Sequence, residues 1–393
     1  MSFSRRSFMK TLGVGAAGAI TSEMLISRRP ETLLDLLSQP LHAQSSDILI
    51  HNNENPVGPG QLVMDAIRTS LGPTGSEGGR YPFSLYGDMI EALVSHYNAA
   101  GVKRENVLLG NGSTQLLRTL THISCSKTNA LVGSEPTYEE CAGYAALIGA
   151  PVYGTKLTDD LKLNLDTTLT AAKGAGMVFF CNPNNPTATA HNGADSMQFI
   201  TDLIKASPTT NILVDEAYFD YATDPNFKTM IPLALEHPQV VVCRTFSKAY
   251  GMAGLRLGYA VGHATTIKKM AQWDGMGYIN MAAVVGGIAH LTRTDGFIEK
   301  EQARNTAARE YTRTYFHDKG YSDTDSQTNF LFVDVKAPIA RFQAACRELG
   351  VRVGRPFPPL MTRARISIGT MDEMQRATKV FDTVLAQLNA AAA

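Results

Sequence analysis

A lysine set among small residues, with a glycine-spaced arginine close behind it, occurs in TFSKAYGMAGLRLGY, Thr245 to Tyr259. A lysine amine condenses with an aldehyde, so Lys248 is able to anchor an aldehyde cofactor such as pyridoxal 5'-phosphate. Ser247 supplies a hydroxyl for the phosphate and Arg256 a planar fork of donors. The intervening glycines let the backbone come close. Alone, the Ser-Lys tetrapeptide reads better as a surface turn before a buried strand; four further segments reverse that balance.

The first, NILVDEAY, is an apolar strand-type run ending in Asp215 and, three residues on, Tyr218. An acid at a strand end sits where α/β sheets bind ligands. There a carboxylate holds a proton on the cofactor's pyridine nitrogen by stabilising the cation. Tyr218 is placed to donate toward the cofactor's phenolate oxygen. In isolation Asp215 reads better as a helix N-cap. The second segment, CNPNNPT, follows the run MVFF, and its two prolines stiffen a loop that presents Asn185 to the ring oxygen. The third, NVLLGNGSTQLL, reads as strand, glycine turn and helix, so Gly112, Ser113 and Thr114 offer backbone N–H groups to a phosphate at a helix start. The fourth, EPTYEE, carries Tyr138, whose ring is able to stack on the pyridine.

In this order and spacing the five segments resemble the fold-type I pyridoxal-phosphate enzymes, specifically the class II aminotransferases close to histidinol-phosphate aminotransferase. The resemblance runs from about His51 to the C-terminus. It implies an α/β fold of the aspartate aminotransferase-like type: a large domain with a mostly parallel sheet between helices, and a smaller α+β domain. It also implies that Lys248 carries the cofactor, Asp215 pairs with the ring nitrogen, and Asn185 and Tyr218 bind the ring oxygen. Arg365 in RARISIGT matches the arginine that clamps the substrate's α-carboxylate, a task suited to a bidentate donor. Tyr81 in GGRYP matches a tyrosine that reaches the neighbouring subunit's phosphate, which implies a homodimer with shared sites. HNNENPVGPG resembles the loop over the substrate, with Asn55 as a substrate contact.

The implied reaction moves an amino group from an amino acid to a 2-oxo acid, with Lys248 as the general base. Racemase, lyase, cyclase or oxidase chemistry would use the same cofactor without an oxo-acid acceptor. A DNA-binding regulator built on this fold is disfavoured, because no helix-turn-helix segment precedes it. Three departures point away from histidinol phosphate: Gly354 stands where an arginine for the substrate phosphate is expected, though Arg352 and Arg355 flank it; Thr114 and Gln115 replace acidic residues; and Ala188 replaces a glycine after NNPT. The expected substrate is another amino acid, aromatic or a precursor of a specialised metabolite, held through Arg365.

With 44% hydrophobic and 18% charged residues over 393 positions, the chain has the composition of a soluble globular enzyme rather than a disordered one. Its 36 basic and 36 acidic residues cancel, which excludes broad attraction to nucleic acid or anionic membrane. No metal site is expected. SRRSFMK, Ser4 to Lys10, before the small apolar run TLGVGAAGAI, reads as a twin-arginine export signal with cleavage near Ala43. The run is too short to span a membrane stably, so membrane contact would be transient and the mature enzyme periplasmic or extracellular. Five cysteines without a CxxC pair permit disulfides but do not require them.

Strand-like runs near Asn106, Asn129, Met177, Asn211, Gln239 and Leu255 alternate with helical patterns, the mark of a largely parallel sheet. An amphipathic stretch from Ile298 to Phe316 precedes the short strands TNFLFVDV, GVRVG and ARISIG. The expected units are therefore the signal at 1–43, an arm at 44–75 joining the small domain, the large domain at 76–300 and the small domain at 301–393.

Overall fold

Short runs rich in β-branched and aromatic residues, closed by glycine, proline or polar turns, make the strands of this chain. The computed structural model describes residues 47–273 and 278–390, so the export signal read in 1–43 lies outside the described residues. The strands are β1 (Ile48–Ile50), β2 (Val107–Gly110), β3 (Leu131–Glu135), β4 (Val152–Lys156), β5 (Met177–Cys181), β6 (Asn211–Asp215), β7 (Val240–Thr245), β8 (Gly258–Gly262), β9 (Phe330–Asp334), β10 (Val351–Val353) and β11 (Arg363–Ser367).

The main sheet has the order β2-β8-β7-β6-β5-β3-β4. From β4 to β7 the neighbours run parallel, while β8 is antiparallel to both β7 and β2. Every residue of β5 and β7 is buried. Such unbroken apolar runs are what parallel strands covered by helices on both faces require. The expected strands are present. The sequence reading passed over β4, an edge strand whose exposed Tyr153, Gly154 and Lys156 hide its pattern. Because β8 reverses direction, the C-terminal ends of β2, β3, β5, β6 and β7 share one edge of the sheet. Each then turns into a segment that sequence analysis singled out.

A second core forms from β9 and β11, paired antiparallel, and from β1 and β10, paired parallel. Ile48 and Ile50 are buried there with Phe342, Ile366 and Phe381. The helix Phe297–Asp318 runs past both cores. Within the expected arm at 44–75 the chain changes allegiance. Residues 48–50 join the C-terminal core, whereas Val63 and Ile67 of the helix Gln61–Ser70 pack on the helix Met281–Thr292. That approach uses Gly286, where an added Cβ would lie 3.3 Å from both Val63 and Ile67. The loop between β1 and this helix therefore lies across the join of the two cores.

Candidate active site

At the carboxyl edge of the main sheet a cavity of about 440 Å³ opens, roofed by the loop after β1 and by β11. One end is built to hold an anion. The helix Gly112–Ser124 begins just after β2 ends, and Ser113 and Thr114 of its first turn, where backbone N–H groups have no intrahelical acceptor, line the cavity. Gly112 has φ 71°, and a Cβ there would stand 2.2 Å from Nη2 of Arg256. At Gly258 of β8 a Cβ would stand 2.3 Å from the backbone nitrogen of Ser113. These two glycines let strand, helix start and guanidinium meet. Arg256 itself adopts φ 62°, a left-handed backbone that costs a non-glycine residue about 1–2 kcal/mol. Its Nη1 donates to Ser247 Oγ at 3.2 Å and to the Ala253 carbonyl at 3.0 Å.

The middle of the cavity holds an acid and a base. Asp215, the last residue of β6, is buried and accepts a hydrogen bond from the Ala217 N–H at 3.2 Å. Burial pushes its carboxyl up to about 7, against the Ala217 bond and the charge of Lys248. A carboxylate so placed gains most from a cation set directly against it. Lys248 follows β7; its Nζ donates to the Asn52 carbonyl at 3.3 Å and lies 5.7 Å from the Tyr218 ring centre. Burial first, and then the charge of Arg365, bring the amine down to about 8, with Glu54 pulling the other way. Near neutral pH part of the amine is therefore uncharged, as a nucleophile or base must be. Tyr138 hydrogen-bonds Thr114, and burial pushes its phenol up to about 12.

At the far wall Arg365, in the centre of β11, is a buried cation met by neutral acceptors. Its Nη1 donates to Asn185 Oδ1 at 2.8 Å and its Nη2 to the His51 carbonyl at 2.7 Å. Its Nε is buried with no hydrogen-bond partner among the described residues. Burial lowers its pKa to about 10, so the site favours any carboxylate that reaches it. Because Asn185 spends its oxygen on Arg365, its amide nitrogen is left for a cofactor oxygen. Tyr218, at the turn after β6, packs edge-on against Phe330 and accepts a hydrogen bond from Asn53 Nδ2 at 3.1 Å.

All the site residues expected from sequence line this cavity except Gly112, Asn55 and Tyr81. Gly112 acts beneath it, by making room for Arg256. The expectation for Asn55 is corrected: its Nδ2 donates to the Ala249 carbonyl at 2.9 Å and its Oδ1 accepts from the Val57 N–H at 3.0 Å, so its side chain fastens the loop beside Lys248. Tyr81 is 71% exposed; it stacks on Phe83, meets Tyr278 at a tilt and does not line its own chain's cavity. Sequence reasoning missed Asn53 and Glu54 of the loop and Glu139 at the mouth, where Arg355, noted from sequence beside Gly354, also stands. Arg355 pairs with Glu139 and lies 4.3 Å over the Phe357 ring, whereas Arg352 pairs with Asp47 outside the cavity. Charged residues beside motif positions, such as Glu139 next to Tyr138, were the signal available.

The family described as aminotransferase class I and II matches residues 47–381. The chain belongs to that family. An aromatic amino acid aminotransferase of Rhodococcus jostii (strain RHA1) is 32% identical to it, covering 86% of this chain and 92% of that one. The crystal structure of histidinol-phosphate aminotransferase from Sinorhizobium meliloti, in complex with pyridoxal-5'-phosphate, superposes with a TM-score of 0.81 at 25% identity over 93% and 97% of the two chains. A Thermus thermophilus aspartate aminotransferase, 18% identical, shares the fold with a TM-score of 0.75 over 98% of this chain and 100% of that one.

Pyridoxal phosphate is thus this aminotransferase's cofactor, and the residues present fit it. Ser113, Thr114, Ser247 and Arg256 would hold the phosphate, Asp215 the ring nitrogen, Asn185 and Tyr218 the ring oxygen, and Lys248 the aldehyde carbon. When bound, the cofactor supplies the electron sink that makes a substrate's α-hydrogen acidic. Asp215 would sustain that sink by keeping a proton on the pyridine side of the cavity. Arg365 would exchange its neutral acceptors for the substrate's carboxylate and so orient the α-carbon. Lys248 Nζ, its pKa lowered to about 8, would take the α-proton.

Proposed function

We propose that this aminotransferase works on an α-amino acid with an aromatic or other uncharged side chain, together with a 2-oxo acid, and not on histidinol phosphate. The observation that carries this is Gly354. A Cβ at that position would lie 2.7 Å from the Arg365 carbonyl oxygen, so no side chain fits where the resemblance sets an arginine for a substrate phosphate. The nearest cation at the mouth, Arg355, is already paired with Glu139. The likeness to a relative named as an aromatic amino acid aminotransferase supports the same reading. The test is a comparison of kcat/KM on purified enzyme. Aromatic amino acids should exceed histidinol phosphate by at least about tenfold, the worth of one unmatched charged group; the opposite order would overturn the reading.

Two further parts of the reading concern setting. The enzyme is exported by the twin-arginine route as SRRSFMK suggests, and changing Arg5 and Arg6 to lysine should strand it in the cytoplasm. It acts as a homodimer in which Tyr81, exposed on its own subunit, serves the partner's phosphate site. A monomer at working concentration with full activity would rule that out.

A further inference from the structure

The geometry points to Asn53 as a positioning residue that turns the Tyr218 hydroxyl into a dedicated donor toward the cavity. It is itself aimed by Ser367, on the strand that carries Arg365. This rests on the assignment of Tyr218 to the cofactor's ring oxygen.

Asn53 is buried and has φ 56°, a left-handed backbone that asparagine adopts more readily than most residues. Its backbone N–H donates to Ser367 Oγ at 2.8 Å. Having accepted that hydrogen, the serine hydroxyl donates its own to Asn53 Oδ1, also at 2.8 Å. The Asn53 carbonyl accepts from Asn329 Nδ2 at 3.0 Å. With its oxygen fixed on Ser367, the side-chain amide of Asn53 has one orientation, and its nitrogen faces Tyr218. Nδ2 donates to the Tyr218 hydroxyl oxygen at 3.1 Å.

A phenol oxygen that accepts a hydrogen bond becomes a stronger donor through its own hydrogen, by mutual polarisation. That hydrogen has to point away from Asn53, and the other side of the oxygen is the cavity. The charged and titratable groups around Tyr218 are Arg365, Cys181, Asp215 and Lys248. Ser367 stands two residues after Arg365 on β11. The strand that binds the substrate carboxylate thereby also sets the hydrogen bond felt by the cofactor.

The test is made on holoenzyme, reading the pH midpoint of its visible absorbance change. A donor on the cofactor's ring oxygen withdraws charge from it and so lowers that midpoint; loss of the donor raises it. Tyr218→Phe sets the scale. Asn53→Asp keeps the shape but replaces the donor by an acceptor, so the phenol hydrogen turns away from the cavity. The midpoint should rise by roughly half to one unit, the effect of one hydrogen bond, with kcat falling more than KM changes. Asn53→Gly keeps the left-handed backbone, and combined with Tyr218→Phe it should add no further shift. Ser367→Ala should move the midpoint the same way by less, and it carries the test should the Asn53 variants fail to fold. If Tyr218→Phe shifts the midpoint while Asn53→Asp and Ser367→Ala do not, or if Asn53→Gly adds its full shift to that of Tyr218→Phe, the proposal is overturned. A silent Tyr218→Phe would remove the assignment of Tyr218 itself, and the proposal with it.

Discussion

The two walls of the cavity satisfy their polar groups in opposite ways. On the sheet side Asp215 is buried with its pKa pushed up, Ser113 and Thr114 of a helix start line the cavity, and Arg256 packs against that start across Gly112. On the roof side Asn53, Ser367 and Asn329 are tied to one another, Asn53 reaches Tyr218 of the sheet side, and Arg365 rests on His51 and on Asn185 of the sheet side. Unmet electrostatic demand on rigid strand ends suits a resident group that stays. Exchangeable neutral bonds on a loop and a strand of the second core suit substrates that come and go. On the proposed roles the cofactor would sit on the sheet side and specificity would be decided at the roof, with Tyr218 linked to both through Asn53.

Attacking the sheet side should have the largest effect. Lys248→Ala should abolish both the visible absorbance of the holoenzyme and turnover, measured by spectrum and single-turnover assay. Asp215→Ala should lower kcat/KM by about two to three orders of magnitude, as expected for one partner removed from a buried charge pair. On the roof side, Arg365→Ala should raise KM for amino acids about ten- to a hundredfold, the worth of a charged hydrogen-bonded pair. Unaltered KM would place the carboxylate elsewhere.

A pH experiment on cofactor-free protein sharpens the contrast. The Asp215 carboxyl is raised from 3.8 to about 7 in the fold. Between those values the folded chain keeps a proton that the unfolded chain has lost, so this group's contribution to stability falls as pH rises and is gone above the upper value. The effect is on the order of a few kcal/mol at most. Thermal unfolding from pH 5 to pH 7.5 should therefore show Asp215→Asn gaining on the unchanged chain, against the opposite slope that His51 and His290, lowered to about 4 chiefly by burial, give to both. The smallest effect belongs to Asn55→Ala: about 1–2 kcal/mol of stability from two lost buried hydrogen bonds, with the order of substrate preference unchanged.

What could be read from sequence followed the reach of each interaction. Asp215 ends a strand, and Asn185, Lys248 and the helix start at Gly112 each stand just past one, whose apolar run announces them, so local pattern sufficed. Asn53 could not be singled out that way, because its meaning lies in Ser367, 314 positions away. Asn55, in the same phrase NENP, looked equally eligible, and only the fold shows its amide spent on Ala249. The pairing of Arg355 with Glu139 joins residues from different cores and left no mark in either segment. Tyr81 is a further case, since a residue expected to serve a neighbouring subunit meets Phe83 and Tyr278 in its own chain but not the cavity.

The central claim is that Lys248 holds the cofactor between the helix start and Asp215. Borohydride reduction of the holoenzyme followed by peptide mass mapping tests it directly. The account predicts a single pyridoxyl adduct, on the peptide containing Lys248; an unmodified Lys248 with the adduct on another lysine, or on none, would contradict it.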